Sequence, residues 1–226
     1  MKKLFFAAVC TVLAAAASAQ SFGIHAGANL GSATTKDPSG LSFSPKSKLG
    51  FLVGVVAEIP LATSVNFRPE LNFIQKGYKV SFSADFGGGV TSIEGEETLN
   101  YMEIPLNVVY NFPAGAHQVF LGAGPSIGYG LSGKNKATVM EPGQPTTTEK
   151  NDVKFGGDEV NDDYKALDFG ANILGGFKMN NGLFFKAGYT FGLSNISNDS
   201  ETSYKNKGFA FSVGYMFKKA AAGSKN

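Results

Sequence analysis

Hydrophobic residues recur at every second position along most of the chain, the period of a strand with two unlike faces rather than the 3.6 of a helix. In the first run Phe22, Ile24, Ala26, Ala28 and Leu30 alternate with Gly23, His25, Gly27, Asn29 and Gly31. A second run sets Leu49, Phe51, Val53, Val55, Ala57 and Ile59 on one face, and a third Val65, Phe67, Pro69, Leu71 and Phe73. Around residues 75–77 the phase slips, so that Tyr78, Val80 and Phe82 become the apolar set, as a β-bulge would produce. Five more runs follow, at 102–110, 119–129, 167–177, 183–191 and 209–217. Each has about the 9–11 residues that a tilted strand needs to cross a bilayer.

The connections alternate as well. Residues 60–63, 113–117 and 180–182 are short, and Asn181-Gly182 is a tight-hairpin pair because both residues tolerate positive φ. The long connections run over 33–47, 84–97, 133–163 and 194–207. This predicts an all-β fold: an eight-stranded antiparallel up-and-down transmembrane β-barrel, with short turns and both termini on the periplasmic side and long loops outside. An even strand number closes the sheet without a free edge.

Alternation alone also fits a soluble lipocalin-like calyx, which turns its apolar face inward. The opposite face decides. It carries Gly23, Gly27, Gly31, Gly50, Gly54, Gly122, Gly124, Gly128, Gly130, Gly170, Gly176, Gly188, Gly192, Gly208 and Gly214. On a water-washed wall each would weaken its strand without return. Inside a narrow eight-stranded bore they make room for the few long side chains. Those are Glu58, Arg68, Glu70, Glu103, Asp168, Lys178 and Lys186, all on the glycine face. Tyr110, Phe177, Tyr215 and Phe217 would then form a periplasmic aromatic belt, and Tyr129, Phe169, Phe191 and Phe209 an outer one.

Composition narrows the classes further. Of 226 residues 43% are hydrophobic, 17% are charged and 29 are glycine, about twice the usual share of roughly 7%. Disorder, collagen and coiled coil are excluded, and no stretch after the leader is long enough for a membrane helix. Residues 1–19 read as a removable secretory signal: Lys2 and Lys3, an apolar stretch over 4–17, then Ala17-Ser18-Ala19 before Gln20. The domain reading is therefore a signal peptide over 1–19, a barrel over 20–217 and a short polar tail over 218–226. Cys10, the single cysteine, lies in the leader, which leaves the mature chain without thiol chemistry. The whole chain has 20 basic and 18 acidic residues, two of the basic ones in the leader, and its one arginine is Arg68. No nucleic-acid partner is expected from such a balance.

Tyr101-Met102-Glu103-Ile104-Pro105-Leu106 with Val109-Tyr110 resembles the signature strand of the PorT-like outer-membrane β-barrel family. Gly122-Ala123-Gly124-Pro125 with Gly128-Tyr129 is similar to its next strand. The stretch 188–196 resembles its penultimate strand, although many members carry arginine where Gly188 stands. The resemblance covers nearly all of the mature chain. It implies an eight-stranded barrel of the Gram-negative outer membrane, in a family with one member that supports secretion and most without assigned activity. It also implies outer-membrane lipid and the barrel-assembly machinery as partners, with secretion or surface proteins as further candidates. Nine residues follow Phe217, whereas barrels commonly finish on an aromatic.

Two charge groups are expected in the bore. Arg68 with Glu58, Glu70 and Glu103 lies on three consecutive strands, and Lys178, Lys186 and Asp168 on the sixth and seventh. They are either a structural ion network or a gate on a narrow polar path. His25 points inward and His117 sits in a turn, neither with a nucleophile at catalytic spacing, so the chain is read as non-enzymatic and without a cofactor. The long loops carry +1, −4, −3 and 0 charges in order, or −6 together. Asp158-Glu159-Val160-Asn161-Asp162-Asp163 could hold a divalent cation through carboxylate oxygens, but its spacing matches no calcium loop and a solvated loop is the favoured reading. Gly87-Gly88-Gly89 lacks the strand–helix setting of a phosphate loop. The function expected is an envelope or interaction barrel, the alternatives being a narrow solute channel or a ligand-binding calyx.

Overall fold

The computed structural model describes residues 21–36, 45–85, 89–158, 160–199 and 201–218. The leader, residues 219–226 of the C-terminal tail, Gly87, Gly88 and Glu159 lie outside the described residues, while Lys218, expected in the tail, still belongs to the last strand. The strands are β1 (Ser21–Lys36), β2 (Lys46–Pro60), β3 (Val65–Asp85), β4 (Val90–Ala114), β5 (His117–Met140), β6 (Thr147–Val153), β7 (Phe155–Gly156), β8 (Tyr164–Lys165), β9 (Leu167–Lys178), β10 (Leu183–Gly192) and β11 (Ser203–Lys218). The order β4-β3-β2-β1-β11-β10-β9-β5 closes on itself through β4–β5, giving a ring of eight antiparallel strands. Closure pairs every wall strand on both sides, the one sheet geometry that leaves no backbone edge in hydrocarbon. The first and last wall strands meet in a seam of sixteen rungs, from Ser21↔Lys218 to Lys36↔Ser203.

The predicted orientation is found in the side chains. Phe51 is 50% and Val213 46% exposed, while Arg68 is fully buried. All fifteen glycines named above stand on the inward parity. Several leave room for a ring: a Cβ on Gly176 would run into Phe120, one on Gly214 into Phe184, and one on Gly130 into Phe155. Ile104 is a local exception, sharing the outward parity of Met102, Leu106 and Val108 but only 1% exposed.

The slip expected in β3 is not there. Registers against β4 run unbroken from Val65↔Tyr110 to Asp85↔Val90, and Tyr78 continues the inward face of Arg68 and Lys76. The irregularity falls at the same height on the other side, between β2 and β3. There residues 48–51 stand opposite residues 75–77, and Gly77 takes φ +126°. A second bulge leaves Leu131 of β5 unmatched beside Asn100↔Ser132 and Tyr101↔Gly130.

The three short turns fall where expected, with Gly115 and Gly182 in the left-handed region. The long connections are more ordered than loops. Most of 84–97 and of 133–163 is strand, so β3, β4 and β5 rise together beyond the ring, and β6 adds to β5 as a fourth strand. Their residues there are largely polar on both faces, so no hydrophobic period marks them.

Gly176→Val places a branched side chain against the Phe120 ring and the Phe185 carbonyl. It should lower stability by about 1–3 kcal/mol, whereas Ala187→Val on the outward face should leave the midpoint nearly unchanged. Urea unfolding of the protein refolded in lipid vesicles measures both.

Candidate functional site

The charged side chains meet at two heights in the bore. Near the turn end, Arg68 of β3 puts Nη1 3.3 Å from Glu58 Oε1 and Nε 3.6 Å from Glu70 Oε1. Lys178 of β9 donates to Glu58 at 2.6 Å, and Lys186 of β10 to Glu70 at 2.6 Å. Asn72 adds a hydrogen bond to Glu70 at 3.1 Å, and His25 Nε2 stands 3.5 Å from the same carboxylate. The guanidinium lies between the rings of Phe120 and Phe184, 4.7 and 4.8 Å from their centroids. Those rings are fully buried in two small apolar clusters, Phe120 with Val109 and Leu174, Phe184 with Val56 and Met216. Arg68 is thus held above and below by dry contacts and around its edge by carboxylates.

Eight residues further along β3, on the same face, Lys76 holds the second group. Its ammonium pairs with Glu103 at 2.5 Å and Asp168 at 3.2 Å, and lies 4.8 Å from the Tyr101 ring centroid. Asn206 donates to Asp168 at 2.9 Å, and Ser194 to the same carboxylate at 3.2 Å. Between the groups remains a cavity of about 50 Å³, room for a water or two. A wider recess of about 380 Å³, lined by His117, Gln118, Lys178 and Asn180, opens at the turn end below the Arg68 layer.

All seven site residues named from sequence point into the bore, in a different grouping. Lys178 and Lys186 serve Glu58 and Glu70, while Glu103 and Asp168 belong with Lys76. Lys76 was missed because the supposed slip at 75–77 took it out of the inward set. Unbroken parity from Arg68 through Asn72 to Lys76 was the signal. With it the two layers hold, among the described residues, four carboxylates and four cations, so their charge closes without a surplus of acid.

Over the loop end lies a cap that the sequence did not suggest. Phe155, Tyr164 and Ile196 come down from the third and fourth long loops onto Leu99, Tyr101 and Tyr204. Phe155 stands edge-on to Tyr101 at 5.4 Å, and Tyr164 meets Tyr204 in a tilted contact at 5.0 Å. The loops are tied to each other by the Tyr164↔Ser197 bridge, by Lys165 N donating to Ile196 O, and by Asn198 donating to Asp162 O. They are tied to the wall by Tyr164, whose hydroxyl donates to Glu97 at 2.7 Å. Glu97 is buried among Tyr78, Tyr164 and Tyr204, several residues above the outer belt. Burial pushes its carboxyl up, helped by Asp163 and opposed by the tyrosine hydroxyls. The same burial raises Tyr78 to about 12.

Asp158 and Asp162 spend their oxygens on their own turn, accepting from Val160 N, Asn161 and Asp158 N. No metal-holding cluster occurs among the described residues.

A family model described as outer membrane protein beta-barrel domain matches residues 18–198. Three solved structures with similar folds are Neisserial surface protein A, the attachment invasion locus protein Ail of Yersinia pestis, and OprG of Pseudomonas aeruginosa. The Neisserial protein shows 16% identity and TM-score 0.43, covering 87% of this chain and 97% of that one. Ail shows 14% and 0.40, covering 88% and 99%. OprG shows 13% and 0.43, covering 89% and 97%. No curated protein sequence matches the chain.

Arg68→Ala leaves Glu58 and Glu70 short of a buried partner and should cost about 3–5 kcal/mol of unfolding free energy, read by urea titration in vesicles. For Glu97, a pKa above the unfolded value means that its contribution to holding the cap is full at acid pH. That contribution is lost as pH rises through the raised value. Hydrogen exchange of residues 160–166 should therefore quicken with pH, beyond its intrinsic dependence, above the ordinary carboxylate range. Glu97→Gln should remove that extra slope.

Proposed function

The chain belongs to the family of outer membrane β-barrel domains, and on that footing we propose that it is a non-conducting, non-enzymatic barrel that acts through what it presents outside the cell. The observation that carries this reading is the state of the bore. Two layers of paired ions, the Phe120–Arg68–Phe184 stack and the aromatic cap obstruct it in series, while the loop end rises into a four-stranded extension. A solute path would need a continuous wet lumen. A barrel that only anchors and presents needs a stiff, dry one, and a neutral ion network supplies stiffness.

Residues 1–19 are removed on export, the turns face the periplasm and the long loops the outside. The PorT-like signature at 101–110 supports placing the protein in an envelope role linked to secretion. Both histidines are used structurally: His25 is walled in beside Glu70 and Phe184, and His117 accepts from Asn180 N at 3.3 Å. That supports the absence of acid–base chemistry at either place.

Purified protein in planar bilayers should show no stable open state at moderate voltage. Steady unitary conductance would overturn the reading in favour of a narrow channel. Recovery of the protein with soluble periplasmic contents would favour a calyx.

A further inference from the structure

Lys205 and Lys207 stand two residues apart on the outward face of β11, above an aromatic group in which Tyr189 touches both Phe191 and Phe209 at 4.5 Å between centroids. Their ladder partners on β1 are Thr34 and Ser32. These hydroxyls also face outward, because Ala33 between them and Asn206 between the lysines are buried in the bore. Neither lysine makes an ion pair among the described residues. On β2 and β3, by contrast, Lys48 and Lys79 share Glu96, at 3.7 and 3.2 Å.

Four residues along β11 from Lys207, about 13 Å at strand rise, the same wall sinks into a shallow apolar recess of about 500 Å³. Ala26, Gly175 and Ala187 form its floor, and Phe177, Phe185 and Phe211 its sides. Ladder pairs place these residues side by side: Phe211↔Ala187, Ala187↔Gly175 and Phe185↔Phe177. Positive charge without an ion pair among the described residues therefore lies directly above an apolar hollow in the same wall. A free anion would use only the upper half, and an apolar protein surface only the lower.

We propose that the outer wall of β1, β11, β10 and β9 seats one phosphorylated lipid of the outer leaflet. Its phosphate lies between Lys205 and Lys207, with Ser32 and Thr34 donating, and one acyl chain lies in the recess. Every contributing side chain is on the outside of the ring, so variants there leave the bore ion pairs untouched.

The test is native mass spectrometry of the full-length protein, processed in the cell and released from detergent, titrated with bis-phosphorylated lipid A and with its dephosphorylated form. Wild type should retain one phosphorylated lipid. Each lysine facing an anionic leaflet is worth about fivefold in binding, so Lys205→Ala/Lys207→Ala should bind about 25-fold more weakly. Ala187→Phe, which fills the recess, should also weaken binding. The dephosphorylated lipid should bind wild type as weakly as the phosphorylated lipid binds the double variant. Heat-dependent mobility on gels establishes that each variant is folded. Undiminished binding by Lys205→Ala/Lys207→Ala overturns the proposal. So does an equal loss in Lys134→Ala/Lys136→Ala on the opposite wall, or a protein dimer that forms through the recess and excludes lipid.

Discussion

Eight ionised side chains share a tube just wide enough for an eight-stranded ring to be filled by its own residues. In so narrow a space an unpaired charge is costly, and removing one partner is more damaging than never having had the pair. Four carboxylates face four cations at two heights, and much of the remaining interior follows from seating them. Arg68 needs two rings to shield its faces, and Phe120 and Phe184 need Gly176 and Gly214 beneath them. Asn72 and Asn206 add hydrogen bonds to carboxylate oxygens that Lys186 and Lys76 also hold, and Ser194 takes the other oxygen of Asp168. Interior composition is thus set by electrostatics and by volume together.

That arrangement separates the molecule into parts with different demands. The outward face of the ring has only to be apolar and can vary widely. The bore has to be neutral and full. The loop end is bound by neither requirement, and there the chain builds a four-stranded extension and a cap held by hydrogen bonds and ring contacts. Glu97, a buried acid with hydroxyls but no ion-pair partner among the described residues, would be intolerable between the two ion layers. It is accommodated where the wall has left the hydrocarbon.

Much of this was legible in the residue order, because lipid imposes a strict alternation. The runs ending at Phe177 and Phe217 could be assigned to strands, and to a face, from period and glycine content alone. Arg68 and its acids followed from parity. Lys76 did not, because inward apolar residues such as Tyr78 imitate a change of phase once the bore becomes aromatic near its end. The strand extensions were read as loops for the complementary reason: with water on both faces, nothing forces a period of two on 84–97 or 133–153. The cap was invisible because Phe155, Tyr164 and Ile196 are isolated apolar residues in polar segments. Their meeting depends on two loops far apart in the chain.

The seam between β1 and β11 joins the first wall strand to the last, with the rings of Phe22 and Phe217 in tilted contact near its lower end at 5.1 Å. Such a ring is an open ribbon until its last strand docks on its first. Until then two bare strand edges, one at each end of the polypeptide, must be kept from pairing with other chains. Neither ion layer can be complete before closure, since Lys186 waits near the late end for Glu70, and Asp168 for Lys76, more than ninety positions earlier in the chain. Folding and insertion are therefore bound into one terminal event, in which sealing the wall and neutralising the interior happen together.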